Sequence, residues 1–158
     1  MRVAITGHRG LPAETERLVD EAIRAKLARW TGADLVGPSC LADGADQISA
    51  RAVLDAGGQL EFVVPAAKYR EGLPVECHAA YDELLGAAES VRRLDHIESD
   101  EQAHMDASRS LLKDADHLVA VWDGKPARGY GGTAEVVALA GDLGVDVTVI
   151  WPDGATRD

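Results

Sequence analysis

The chain is poor in aromatic residues, with one Phe, three Trp and three Tyr among 158 residues. A core must therefore be packed from Ala, Val, Leu and Ile. Cysteine is nearly absent, and Cys40 and Cys77 form neither a CxxC pair nor a zinc-ligand spacing. Free thiols in a reducing cytosol are the simplest reading. His78, His96, His104 and His117 show no HxxxH or HExxH spacing, so no metal is expected, and no cofactor motif is present. No apolar run approaches the ~18 residues of a membrane span. The opening "MRVAITGHRG" reads as a strand entering a turn, not as a charged-then-apolar leader. A cytoplasmic protein with no membrane partner is expected. Positive charge is also scarce: 16 Lys and Arg against 27 Asp and Glu leave a net charge of −11. Phosphate backbones need a positive footprint, so DNA is not expected as a partner. One small anion in a local pocket remains compatible with that charge.

What the chain does have is alternation. Short β-branched runs recur at 2–6, 34–37, 60–64, 117–122 and 147–151, continuous enough for strands buried on both faces. "SVRRL" (90–94) is a further short candidate. Between them, residues 13–30 place Val19, Ile23, Leu27 and Trp30 on one helical face, with Pro12 at the start. Residues 45–56 repeat the pattern and stop at Gly57-Gly58. Residues 76–89, 100–115 and 133–144 predict three more helices, the second opened by Ser99 with Gln102 in a capping box and the last capped by Thr133. Strand and helix alternating throughout predict one α/β domain over 1–158, a mostly parallel sheet flanked by helices on both faces. In such sheets ligands sit beyond the carboxyl ends of the strands, where the winding reverses.

Three strand-end loops stand out. "TGHRG" (6–10) offers Gly7 for close backbone approach, His8 as a ligand contact or a solvated side chain, and Arg9 as a fork for phosphate or carboxylate. "GPSCLADGADQ" (37–47) places Cys40, Asp43 and Gly44 before a helix whose first amides could hold an anion. Asp43 and Asp46 would equally complement that helix dipole with no ligand present. Cys40 is either a small buried residue or a thiol favoured as thiolate by the helix end. The third loop, "WDGKPARGYGGT" (122–133), brings Asp123, Gly124, Lys125, Arg128, Gly131, Gly132 and Thr133. A plain turn and cap need one glycine, not several. The reading is that these glycines clear room for a phosphate, with Thr133 capping the helix or donating to the ligand.

At these residues the chain resembles the SLOG superfamily, Rossmann-like proteins that include the lonely-guy (LOG) phosphoribohydrolases and the DNA-processing protein DprA/Smf. "SCLADGADQISARAVLDAGG" is similar to the DprA segment SGLA.GID, and "RSLLKDADHLVAVWDGKPARGYGGTAEVV" to an Arg–helix–Asp–strand–WDG…GGTA pattern in that superfamily. The resemblance implies a Rossmann-like sheet, a nucleotide or nucleotide-derived ligand, and a homodimer or higher homo-oligomer. It also implies Arg109 and Glu135 as candidate catalytic residues for hydrolysis of the N-glycosidic bond of nucleoside monophosphates. The LOG motif, PGGxGTxxE, puts its glutamate three residues after the Thr. Here Glu135 follows Thr133 by two and Val136 stands at the matching position, about 100° around a helix. Ligand binding as sensor or carrier is therefore the leading expectation, hydrolysis the alternative, and a ligand-free oligomeric scaffold the third.

Overall fold

The computed structural model describes residues 1–30, 34–126 and 132–157. Among the described residues, six strands alternate with five α-helices in the expected order: β1 (Val3–Gly7), α1 (Ala13–Leu27), β2 (Val36–Ser39), α2 (Ala45–Asp55), β3 (Gln59–Ala66), α3 (His78–Ala87), β4 (Ser90–His96), α4 (Glu101–Leu112), β5 (His117–Val121), α5 (Thr133–Asp142) and β6 (Asp146–Ile150). Every strand pairing is parallel. The strands form two three-stranded ladders, β1-β5-β6 and β2-β3-β4, which meet at a parallel bridge between Arg2 and Val36. Across that junction the order reads β4-β3-β2-β1-β5-β6, so the winding reverses between β2 and β5, at β1.

Period-two alternation puts neighbouring strand residues into opposite layers. Val3, Ile5, Phe62, Val119 and Val121 join one core with Val19, Ile23 and Leu27 of α1, Ala50 and Val53 of α2, and Tyr81 and Leu84 of α3. Ala4, Val63 and Leu118 face the other core, with Ala107, Leu111 and Leu112 of α4 and Val136 and Ala140 of α5. The sheet is thus covered on both faces, as an all-parallel sheet must be to bury its apolar runs. The scarce aromatics are concentrated on the first side, where Phe62 meets Tyr81 edge-on at 5.4 Å between centroids.

Two helix starts differ from expectation. The cap of α4 is Asp100, which accepts the Ala103 N–H at 2.8 Å, while Ser99 Oγ instead meets His104 Nε2 at 2.8 Å. The carboxylate one residue nearer the helix wins the amide, and Gln102 turns to Asp106 at 2.9 Å. Gly132, not Thr133, is the N-cap of α5, and Thr133 is its first helical residue.

Candidate functional site

The carboxyl ends of β1, β2 and β5 are drawn together by close backbone approach. A Cβ on Gly7 would stand 2.4 Å from Ala45 Cβ and 2.8 Å from Val121 Cβ, so α2 and β5 pack directly on the end of β1. Gly44 has φ +83°, and a Cβ there would lie 2.6 Å from the His8 carbonyl oxygen. That same oxygen accepts the Ala45 N–H at 3.2 Å. The loop after β2 is thereby tied beneath the loop after β1.

On this platform His8 is buried, not solvated. Its Nε2 accepts the Asp123 N–H at 3.0 Å and lies 3.3 Å from Arg157 Nη1. Nε2 also lies 3.2 Å from Asp123 Oδ1, and Nδ1 lies 3.4 Å from Thr133 Oγ1. His8 therefore links the loop after β1 to the start of α5 and to the C-terminal segment. Asp123 accepts the Lys125 N–H at 3.0 Å in a turn through Gly124, which has φ +80°. Its carboxyl is held below the usual range against the opposing cost of burial, by the Lys125 amide, His8 and Arg157. Arg157 Nη1 lies 3.6 Å from Asp123 Oδ2. The Arg157 segment is fixed from below by Thr15, whose hydroxyl donates to the Thr156 carbonyl at 2.8 Å and accepts the Thr156 N–H at 2.9 Å.

Arg9 is oriented by Asp43. Asp43 Oδ1 accepts from Arg9 Nε at 2.8 Å, and Oδ2 accepts the Gly10 N–H at 3.0 Å. The carboxylate is buried, whereas the arginine side chain is 44% exposed. The pairing uses the inner nitrogen of the guanidinium.

These loops enclose a cavity of about 300 Å³ at the reversal point of the sheet. Its apolar floor includes Ile5, Pro65 and Leu111, and Gly132, Thr133 and Ala134 bring the first amides of α5 to its wall. Arg9, Lys125 and Arg157 line it, against one carboxyl among the described lining residues, Asp46. The protein as a whole is strongly acidic, so the cavity inverts the sign of the surface around it. Burial is the main cause that pushes the Asp46 carboxyl up, to about 7, opposed by the Ala42 amide and Arg9. The Cys40 thiol is pushed well up by burial and by Asp46, so Cys40 is a neutral thiol on the wall and the helix end does not make it a thiolate.

Of the residues singled out in the sequence, Gly7, His8, Arg9, Cys40, Asp46, Lys125, Gly132 and Thr133 line this cavity. Asp43, Gly44, Asp123 and Gly124 do not; they hold the loops that form it. Arg128 and Gly131 lie outside the described residues. Arg109 is not at this cavity: it is one residue past Ser108, about 100° around α4. Its Nη1 donates to Asp106 at 3.1 Å, and it lines a separate groove with Leu139 and Leu143. Glu135 lies in the first turn of α5 but is not among the lining residues. Tyr69, His104, Ser108 and Arg157 line the cavity without any strand-end motif to announce them. The spacing of His104, Ser108 and Leu111 marks a single helix face, which is the one signal that could have grouped three residues of α4.

No protein-family model matches the chain, and no curated protein sequence is similar to it. Solved structures are similar in fold. DprA from Streptococcus pneumoniae superposes with a TM-score of 0.68 at 17% identity over 97% of this chain and 51% of that one. This chain thus spans about half the length of that protein. The single-stranded-DNA-binding DprA from Helicobacter pylori gives 0.68 at 16% identity, over 99% of this chain and 68% of that one. The Moco carrier protein of Chlamydomonas reinhardtii gives 0.55 at 15% identity, over 94% and 74%. The likeness shows that the chain shares the Rossmann-like α/β fold of these proteins. It also overturns the expectation that DNA is not a partner, since a protein of this fold binds single-stranded DNA. Net charge sums over a whole surface, whereas a phosphate footprint is local, and the three cations of the cavity are such a local concentration. Among the described residues, no helix is long and apolar enough to cross a membrane.

Proposed function

We propose that this chain, built on the SLOG-type Rossmann-like fold, binds a nucleotide or nucleotide-derived ligand in the cavity at the carboxyl ends of β1, β2 and β5, as a sensor or carrier. The observation that carries the reading is the inverted charge: Arg9, Lys125 and Arg157 face one space in a protein of net charge −11. The first amides of α5 add donors on the same wall, and a helix N-terminus favours a phosphate. The apolar floor suits the uncharged part of such a ligand. Calorimetry with AMP, ADP-ribose and NAD tests this directly. Charge-assisted bonds to phosphate contribute roughly 1.5–3 kcal/mol, so Arg9→Ala should weaken binding about 10- to 100-fold. Gly132→Val should abolish it by blocking backbone approach. Failure of the parent to bind any of the three would refute the reading.

A second reading is supported by the likeness to DprA, which extends over nearly the whole chain. In it the phosphate belongs to single-stranded DNA. An oligothymidylate that binds in competition with AMP, and that loses affinity with Arg9→Ala, would support DNA as the occupant of the same site. The hydrolytic alternative has less support, because Arg109 lines another groove and Glu135 does not line this cavity.

A further inference from the structure

Tyr69 enters the cavity from the β3 side. It follows that strand in a short turn, where its N–H donates to the Ala66 carbonyl at 3.1 Å, and it is 4% exposed. Its ring is held from two directions, edge-on to His104 of α4 at 5.9 Å and 6.3 Å from Tyr81 of α3. Among the described residues its hydroxyl has no hydrogen-bond partner. Buried tyrosine hydroxyls usually have one, because desolvation without a partner is costly. Three side-chain atoms of the described residues are both unpartnered and sealed from solvent, namely Arg2 Nε, Asp46 Oδ1 and Ser49 Oγ. The Tyr69 oxygen is not one of them. It therefore keeps an accessible face, and the space that Tyr69 lines is the cavity. Burial pushes this phenol well above its ordinary value, so it keeps its proton. The result is a rigidly held O–H donor with no acceptor in the protein.

What it can meet follows from the order of the strands. The first amides of α5 reach the cavity from the end of β5, Arg9 from the end of β1, and Tyr69 from the end of β3. Three strand spacings, about 14 Å, separate β3 from β5. A single phosphate at the start of α5 does not fill that span, whereas a nucleotide does. The lining on the β3 side is also uncharged. Pro65 comes from β3 itself, and α4, which packs on Val63, adds His104 and Ser108. Burial holds the His104 ring below its ordinary value, so it is neutral there.

We propose that Tyr69 is a ligand-binding residue whose hydroxyl donates a hydrogen bond to an oxygen or nitrogen acceptor on the uncharged, nucleoside part of the ligand. This rests on the phosphate-ligand reading and gives the ligand a direction, with its phosphate at Arg9 and the start of α5 and its nucleoside towards β3.

The experiment is calorimetry with whichever of AMP, ADP-ribose and NAD the parent binds most tightly, with inorganic phosphate as competitor. Tyr69→Phe removes one oxygen and keeps the ring contacts. A neutral hydrogen bond contributes about 0.5–1.5 kcal/mol, so the variant should bind the nucleotide about 3- to 10-fold more weakly. The inhibition constant of inorganic phosphate should not change, because phosphate alone does not reach Tyr69. Without ligand, the urea midpoint of Tyr69→Phe should equal or exceed the parent's, since the variant loses a buried hydroxyl that had no partner. The inference is overturned if Tyr69→Phe binds the nucleotide like the parent, or if phosphate inhibition weakens in step, which would place the hydroxyl on the phosphate. A lowered urea midpoint would also overturn it, by showing that the hydroxyl is already engaged within the protein. Loss of binding in Arg9→Ala with parental binding in Tyr69→Phe would overturn this inference alone. If the parent binds none of the three nucleotides, or if phosphate does not displace the one it binds, the ligand reading fails and this inference with it.

Discussion

Asp43 fastens the Arg9 side chain and the following turn to a single carboxylate, taking Arg9 Nε at 2.8 Å and the Gly10 N–H at 3.0 Å. A buried acid thus fixes a half-exposed arginine at the mouth of the cavity. The pair contributes less by its own attraction, which solvent screens on the arginine side, than by holding the fork in place before a ligand arrives.

Asp43→Ala should therefore weaken binding of AMP or ADP-ribose even though Asp43 does not line the cavity. The arginine keeps its charge but loses its orientation, so the loss should be smaller than that of Arg9→Ala, about 3- to 10-fold. The double variant should be no weaker than Arg9→Ala alone. Calorimetry on the four proteins measures this coupling, and additive losses would show that Asp43 acts independently of Arg9.

Gly44→Ala should destabilise the fold. The backbone is in the left-handed region, and the added Cβ would meet the His8 carbonyl oxygen, a backbone atom that is itself bonded to the Ala45 N–H. Left-handed strain and the forced shift together suggest a loss of about 2–4 kcal/mol in urea unfolding. A loss below ~1 kcal/mol would mean that the two loops separate freely.

Much of this architecture was legible in the sequence because each layer writes its own period. The β-branched runs and the i, i+4, i+8 spacing of Val19, Ile23 and Leu27 are local patterns with local physical causes. β4 was harder to read because it is an edge strand in which Ser90, Val91, Arg92 and Arg93 are all exposed, so no alternation marks it. In the site, the strand-end loops were visible as glycine and arginine clusters. Their division of labour was not. That Asp43 would orient Arg9, or that Gly44 would pack under His8, depends on contacts between segments more than thirty residues apart. Arg157 is placed by Thr15, 141 residues away from its neighbour Thr156, and no spacing in the chain announces it.

Thr15→Val tests that placement. Thr15 is buried, and its hydroxyl makes both bonds to Thr156. Valine keeps the volume and removes both, leaving a buried carbonyl and amide to find other partners. Stability should fall by about 1–3 kcal/mol. Ligand affinity should fall about 3-fold or more as Arg157 loses its anchor, and Arg157→Ala should then cost little extra in that background. An undiminished effect of Arg157→Ala in Thr15→Val would show that the tail is held by other contacts.

The Asp46 carboxyl stands at about 7 in the fold against an ordinary value of 3.8. Its folded pKa is raised, so the folded state keeps a proton that the unfolded chain gives up between about pH 4 and pH 7. Stability contributed by that proton is fully present below the unfolded value and is lost as pH rises through the folded one. The integrated loss is on the order of 4 kcal/mol from a shift of about three units. Asp46→Asn replaces the carboxyl with a group that does not titrate, so its stability relative to the parent should rise with pH across this window. Urea unfolding at pH 4, 6 and 8 reads that difference, while carboxylates and histidines common to both proteins cancel. The gap should widen from pH 4 to pH 7 and then stay constant, with the variant gaining on the parent. A gap that does not change with pH would place Asp46 near its ordinary value.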